Sequence, residues 1–136
     1  MLTTLNSQLR APVLAALILR VSLGVLFLAH AWLKIAVCTP SGTSQFFQSL
    51  GLPGFLAYLT IIAGIAGGIA LIVGWQVRVV ALALVPILLG AIIFSHAKAG
   101  FFFNNEGGGW EFPAFWAIAL IVQSLLGAGN AALTRD

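Results

Sequence analysis

The sequence predicts an all-α integral membrane protein, a bundle of four spanning helices in a single domain covering residues 1–136. Two observations carry that prediction. Six Lys or Arg and three Asp or Glu make up 7% of the 136 residues, against about 25% in a soluble domain. Hydrophobic residues reach 61%, with a mean hydropathy of +1.11. A soluble chain of this size has more surface than so few charges could cover. The composition therefore excludes a soluble globular domain, a nucleic-acid binder, a coiled coil and a disordered tail. The net charge of +3 is no basic patch, because the positives stand singly along an apolar chain. A span takes about 20 apolar residues, so the length holds four with loops and no second domain. Cys38 is the one cysteine, which excludes an intrachain disulfide and any multi-cysteine metal site.

Charge-poor windows place the elements at about 13–37, 55–75, 79–97 and 112–133. Met1–Arg10 reads as a short polar lead, with Pro12 opening the first helix, where its missing N–H costs nothing. Ala29-His30-Ala31 has the form of a signal-peptidase site. Arg20 would then interrupt the apolar region, so the first span is expected to be retained. Cys38–Pro53, with Pro40, Gly42, Gly51 and Pro53, reads as a connection. Phe55–Trp75 carries no charge and is the cleanest span, and Gln76 with Arg78 marks a tight turn. Pro86 falls inside the third span, where it is expected to cause a kink. Lys98–Glu111, with its three glycines, reads as a loop.

Lys and Arg counted by side set the orientation. Four spans put Arg10, Arg20, Arg78 and Arg135 on one face, whereas Lys34, Lys98, Glu106 and Glu111 balance on the other. Both termini are thus expected in the cytoplasm. Gly64 and Gly68 form a GxxxG pair, flanked by Ala63 and Gly67, and Gly127–Ala131 narrows the fourth helix; such small residues let helices approach closely. Trp32, Trp75, Trp110 and Trp116 fall near span ends, as an interfacial belt would place them, and Phe101–Phe103 are expected to dip into the outer interface.

Ionisable residues are scarce, so each is a candidate. Arg20 lies about 12 Å inside the first apolar stretch. It is either a boundary residue whose side chain snorkels outward, or an intramembrane cation aimed into the bundle at a partner or ligand anion. His30 and Lys34 are four apart and share a helix face. His96 closes the third span at a similar depth, and Glu111 ends the loop after it. Together they suggest an outward-facing polar pocket for a proton relay, a polar ligand or a metal, set against the plainer reading that each marks a membrane boundary. No metal is assigned, because the spacing is not diagnostic. A nucleophile elbow, P-loop, dinucleotide fingerprint, haem-attachment motif and cysteine pair are all absent from the sequence.

The run Arg20-x-x-x-Gly24 followed by His30-Ala31-Trp32-Leu33-Lys34 resembles the opening of DoxX-family membrane proteins. Phe47, Gly51-Leu52-Pro53 and the run Ala66–Gly74 resemble that family's second-helix signature; Gly107–Glu111 and Gly127–Gly129 complete the pattern. The resemblance covers about residues 17–136. It implies a four-helix bundle of the bacterial inner membrane, in a family named for a subunit of an archaeal thiosulfate:quinone oxidoreductase. Arg20, His30, Lys34 and Glu111 carry over as the family's polar positions. Ala31 replaces the usual Gly, and Gly64 stands where many members have an acidic residue that would partner Arg20.

Two functions follow as expectations. The first is a redox-linked subunit that binds a quinone or lipid-like molecule through Arg20, His30, Lys34, His96 and Glu111 and serves a partner redox enzyme. The second is a non-enzymatic carrier, assembly factor or scaffold, with a homo-oligomer compatible with either. Quinone is the cofactor the first implies.

Overall fold

The computed structural model describes residues 2–134, with side chains from residue 10 onward. Five α-helices account for most of it: α1 Leu2–Trp32, α2 Pro40–Ser49, α3 Phe55–Val73, α4 Val77–Ala91 and α5 Glu111–Leu126. α1 and α4 each run on through a five-residue π-helical turn, Leu33–Val37 and Ile92–His96. Among the described residues three segments are long and apolar enough to cross a membrane: Arg10–Val37, Phe55–Val73 and Val77–Ala99. At 16 residues, α5 is shorter, about 24 Å against a hydrocarbon core of about 30 Å.

The pattern of burial is that of a helical bundle in lipid. Ile62, Val79, Ile93, Phe115 and Leu125 are each more than half exposed, while Leu23, Phe27, Leu71, Leu84 and Leu120 fill the interior. An apolar exterior on this scale suits a hydrocarbon solvent and no aqueous one. α1 packs along α3 and α4 along α5, and the two pairs meet through α3–α4 and α1–α5.

Small residues set the closest approach. A Cβ on Gly68 would stand 3.0 Å from Gly24 O and 3.1 Å from Leu28, so α1 and α3 touch backbone to backbone there. Gly67 receives Leu84 of α4 on its other side, and Gly64 faces Phe27 and Ala31 at ordinary contact distance. The α3–α4 connection is tight, with Gly74 in the left-handed region (φ 79°). The Gly74 turn, with Arg20 beside it, marks one end of the bundle, the arginine end, which also holds Arg78 and Arg10.

Four expectations differ from the structure. α1 begins at Leu2 and passes through Pro12, a residue membrane helices tolerate when the freed carbonyl finds another partner. The connection 38–53 contains α2, whose start is capped by Thr39: its hydroxyl accepts from Gly42 N at 3.0 Å, with Pro40 at the first helical position. The last helix ends at Leu126, and Gly127–Ala131 does not form a narrow helical end. Gly127 (φ 81°) and Gly129 (φ 74°) turn the chain out of helix. The tail then crosses back over α3, where Leu133 N and Thr134 N donate to Val73 O and Gly74 O, both at 3.1 Å. Trp116, expected in the interfacial belt, is buried in the core. Arg135 of the orientation argument lies outside the described residues.

Candidate functional site

At the arginine end one buried side chain organises the backbone. Arg20 has no exposed surface, and each of its five N–H groups has a carbonyl acceptor. Nε donates to Ala128 O at 2.8 Å; Nη1 donates to Leu71 O at 3.1 Å and Ile72 O at 2.6 Å; Nη2 donates to Asn130 O and to Ala131 O at 2.8 Å. Leu71 and Ile72 lie in the last turn of α3, where helical carbonyls have no intrahelical partner. Asn130 and Ala131 lie in the non-helical tail, whose carbonyls would otherwise be stranded near lipid. Gln123, fully buried, adds bonds from Nε2 to Ala16 O at 3.1 Å and Gly127 O at 2.9 Å. Arg78 reaches the end of α5, donating to Ser124 O and Leu125 O. Every donor a guanidinium owns is thus spent on the chain itself.

The opposite end is built differently. Between the two helix pairs, a cavity of about 790 Å³ opens, walled by all five helices and lined by His30, Lys34, Cys38 and His96 among mostly apolar residues. Its size suits an organic ligand rather than a lone ion. His30 comes from the last turn of α1, and His96 from the π-turn that prolongs α4. Lys34 sits in the other π-turn. Such turns are rare and recur at functional sites, because the extra residue re-aims the side chains around it.

Both imidazoles are held by backbone. His30 Nδ1 lies 2.9 Å from Leu26 O, and His96 Nδ1 2.6 Å from Gly108 O. Aromatic rings fix them further. The His30 ring lies 4.7 Å from Trp116 and 6.4 Å from Phe112; His96 lies 5.9 Å from Phe103; Phe103 and Phe112 are 5.2 Å apart. His30 and His96 thus line one cavity from two different elements, α1 and the π-turn after α4, which pack on α3 and α5. The buried Trp116 N–H has no acceptor among the described residues and lies beside the rings of His30 and Phe27.

The structure thus gathers His30, Lys34 and His96 around one space and leaves two expected members out. Arg20 belongs to the arginine end. Glu111 opens α5, its N–H donating to Phe101 O at 3.0 Å, and it does not line the cavity. Its place favours the positive end of the α5 dipole instead. Among the described residues no three His, Cys, Asp or Glu side chains approach as metal ligands would, so His30, His96 and Glu111 do not form a shared metal site. Trp116, Phe103, Phe112 and Thr60 join the wall unforeseen. A partial signal was available, since Phe112 and Trp116 are four apart and must share a helix face. Phe103 is brought in only by the fold of the loop, through bonds such as Gly109 N to Phe102 O at 3.0 Å.

The DoxX family profile matches residues 15–97. The chain is 38% identical over 93 residues to a Bacillus subtilis (strain 168) protein named "Putative oxidoreductase CatD", spanning 68% of each chain. It is 35% identical over 66 residues to an Escherichia coli (strain K12) protein named "Inner membrane protein YqjF", spanning 48% of this chain and 49% of that one. No solved structure matches. With its apolar helices, the protein is a multi-pass protein of the bacterial inner membrane. On the extent of the profile match, the chain belongs to the DoxX family.

Proposed function

We propose that this protein is a redox-linked membrane subunit whose cavity holds a lipid-soluble ligand of the quinone class on behalf of a partner enzyme. The observation that carries the reading is the 790 Å³ space itself. It is apolar and aromatic over most of its wall, with His30, Lys34 and His96 as its few charged or titratable groups besides Cys38. That distribution suits a ring or chain with one or two polar atoms. The CatD relative's name adds support for a link to redox chemistry. Electrons would be carried by the partner, because the sequence has no motif for haem, flavin or iron–sulfur.

The reading includes an orientation. Arg10, Arg20 and Arg78 gather at the arginine end, which we place in the cytoplasm with both termini by the positive-inside rule. The cavity then lies in the outer half of the bilayer. All four long helices would cross, with α5 completed at the inner boundary by the tail that Arg20 holds.

Gly90 provides the test. It lines the cavity, and a Cβ there would meet nothing within 4 Å. Gly90→Phe should fill the space without disturbing the bundle. In nanodiscs, decylubiquinone binding followed by calorimetry should weaken about tenfold or more while Tm stays put. Unchanged binding in a folded Gly90→Phe protein would refute the site. Affinity purification of the full chain from its native membrane tests the partner. Recovery of the chain alone, with no ligand bound, would favour a scaffold or assembly role.

A further inference from the structure

The two cavity histidines share a constraint that a general ligand site does not require. A carbonyl oxygen only accepts, so the contacts of His30 Nδ1 with Leu26 O and His96 Nδ1 with Gly108 O put the ring proton on Nδ1 in both. In the neutral imidazole, Nε2 is then a lone pair with no proton to give. Among the described residues neither Nε2 has a protein partner. Neither is among the buried polar atoms left unpaired, so each keeps surface open to a visitor. The cavity therefore offers two acceptors, one on α1 and one at the end of α4, linked along its wall by the Phe112 and Phe103 rings.

We propose that the cavity selects the dihydroxy form of its ring ligand, a quinol, over the corresponding quinone, with His30 Nε2 and His96 Nε2 each accepting a hydrogen bond from one ring hydroxyl. The proposal rests on the reading of the cavity as a quinone-class site, and it adds which redox form that site holds. Para hydroxyls leave a ring at opposite ends, and the two imidazoles reach the cavity from two different elements, α1 and the end of α4. A quinol supplies one donor to each lone pair. A quinone supplies none, and its carbonyls would bring two further acceptors against the first two. A site built to pair with a ligand hydroxyl rejects the analogue lacking it, because its own polar atoms go unpaired. Lys34 does not discriminate, since its ammonium donates equally to a hydroxyl or a carbonyl oxygen. Trp116 lines the wall beside the His30 and Phe27 rings, but its N–H is itself buried and has no surface open to a ligand. The preference thus belongs to the two histidines.

The experiment uses the full chain in nanodiscs under argon, with decylubiquinol and decylubiquinone titrated separately and Kd read by calorimetry. Decylubiquinol should bind tighter by about tenfold or more. His30→Phe and His96→Phe keep the aromatic contacts and remove the acceptor, so each should bring the ratio of the two Kd values toward one. Equal affinities, or a preference for the quinone, in the unsubstituted protein would overturn the selectivity while leaving the ligand site standing. Failure of both ligands to bind would overturn the site itself. The unsubstituted comparison decides the question even where a Phe variant does not fold.

Discussion

The two ends of this bundle face the same physical problem, polar groups at the edge of a hydrocarbon solvent, and solve it in opposite ways. At the arginine end one guanidinium meets five carbonyls, and its donor capacity is used up. At the histidine end, two imidazoles are tied down on one nitrogen and left open on the other, around a space no side chain fills. A polar residue inside a membrane protein is expensive at either end. The difference teaches how to tell its purposes apart. Where the chain itself consumes the hydrogen-bonding capacity, the residue holds the fold; where capacity is left over beside a cavity, the residue is free to hold something else.

Breaking the arginine end should have the largest effect. Arg20→Leu leaves Leu71, Ile72, Ala128, Asn130 and Ala131 without their side-chain donor, and should cost about 3 kcal/mol or more. Loss of the cooperative melt in detergent would be the measurement. Arg20→Lys keeps the charge but offers three donors for five acceptors, so its Tm should fall between the two. A native Tm for Arg20→Leu would show that the five contacts contribute nothing, and the contrast between the ends would collapse.

A pair of glycine substitutions sharpens the comparison. Gly68→Leu forces a side chain into the Gly24 and Leu28 contact, and should cost about 1–3 kcal/mol by thermal melting. Gly90→Phe enters open space and should leave Tm unchanged while it blocks the ligand. If both substitutions lower Tm equally, the histidine end is as tightly packed as the arginine end and is no cavity.

His30→Ala combined with His96→Ala should have a smaller effect on stability than either Arg20→Leu or Gly68→Leu, because neither histidine holds distant segments together through more than one hydrogen bond. Ligand affinity should fall all the same. An unaltered affinity would return both residues to the role of boundary markers. The smallest perturbation tests orientation: single cysteines at Ser7 and Asn105, in a Cys38→Ser background, should label from opposite sides of the membrane. Labelling from one side would overturn the placement of the arginine end in the cytoplasm.

Composition and the spacing of charges made the class of protein legible, since an apolar surface is a sum over residues and needs no knowledge of which residue meets which. The i, i+4 relation put His30 and Lys34 on one face, and both line the cavity. α2 had a local signature, Thr39 before Pro40, outweighed by the Pro, Gly and Ser around it. The purpose of Arg20 was not legible. Its acceptors lie 51 to 111 positions away in the chain, in an α3 terminus and in a tail whose glycines leave the helix.

Glu111 stands outside the cavity lining, because nearness in depth does not fix which way a side chain at a helix start will face. The sequence by itself determined a helical bundle in the bacterial inner membrane, with scarce polar groups at its two ends. The tertiary structure alone decided which of those groups are spent and which are spare. Burial follows from each residue's own transfer free energy, whereas a hydrogen bond needs a second group at about 3 Å, and only the folded backbone brings that group there.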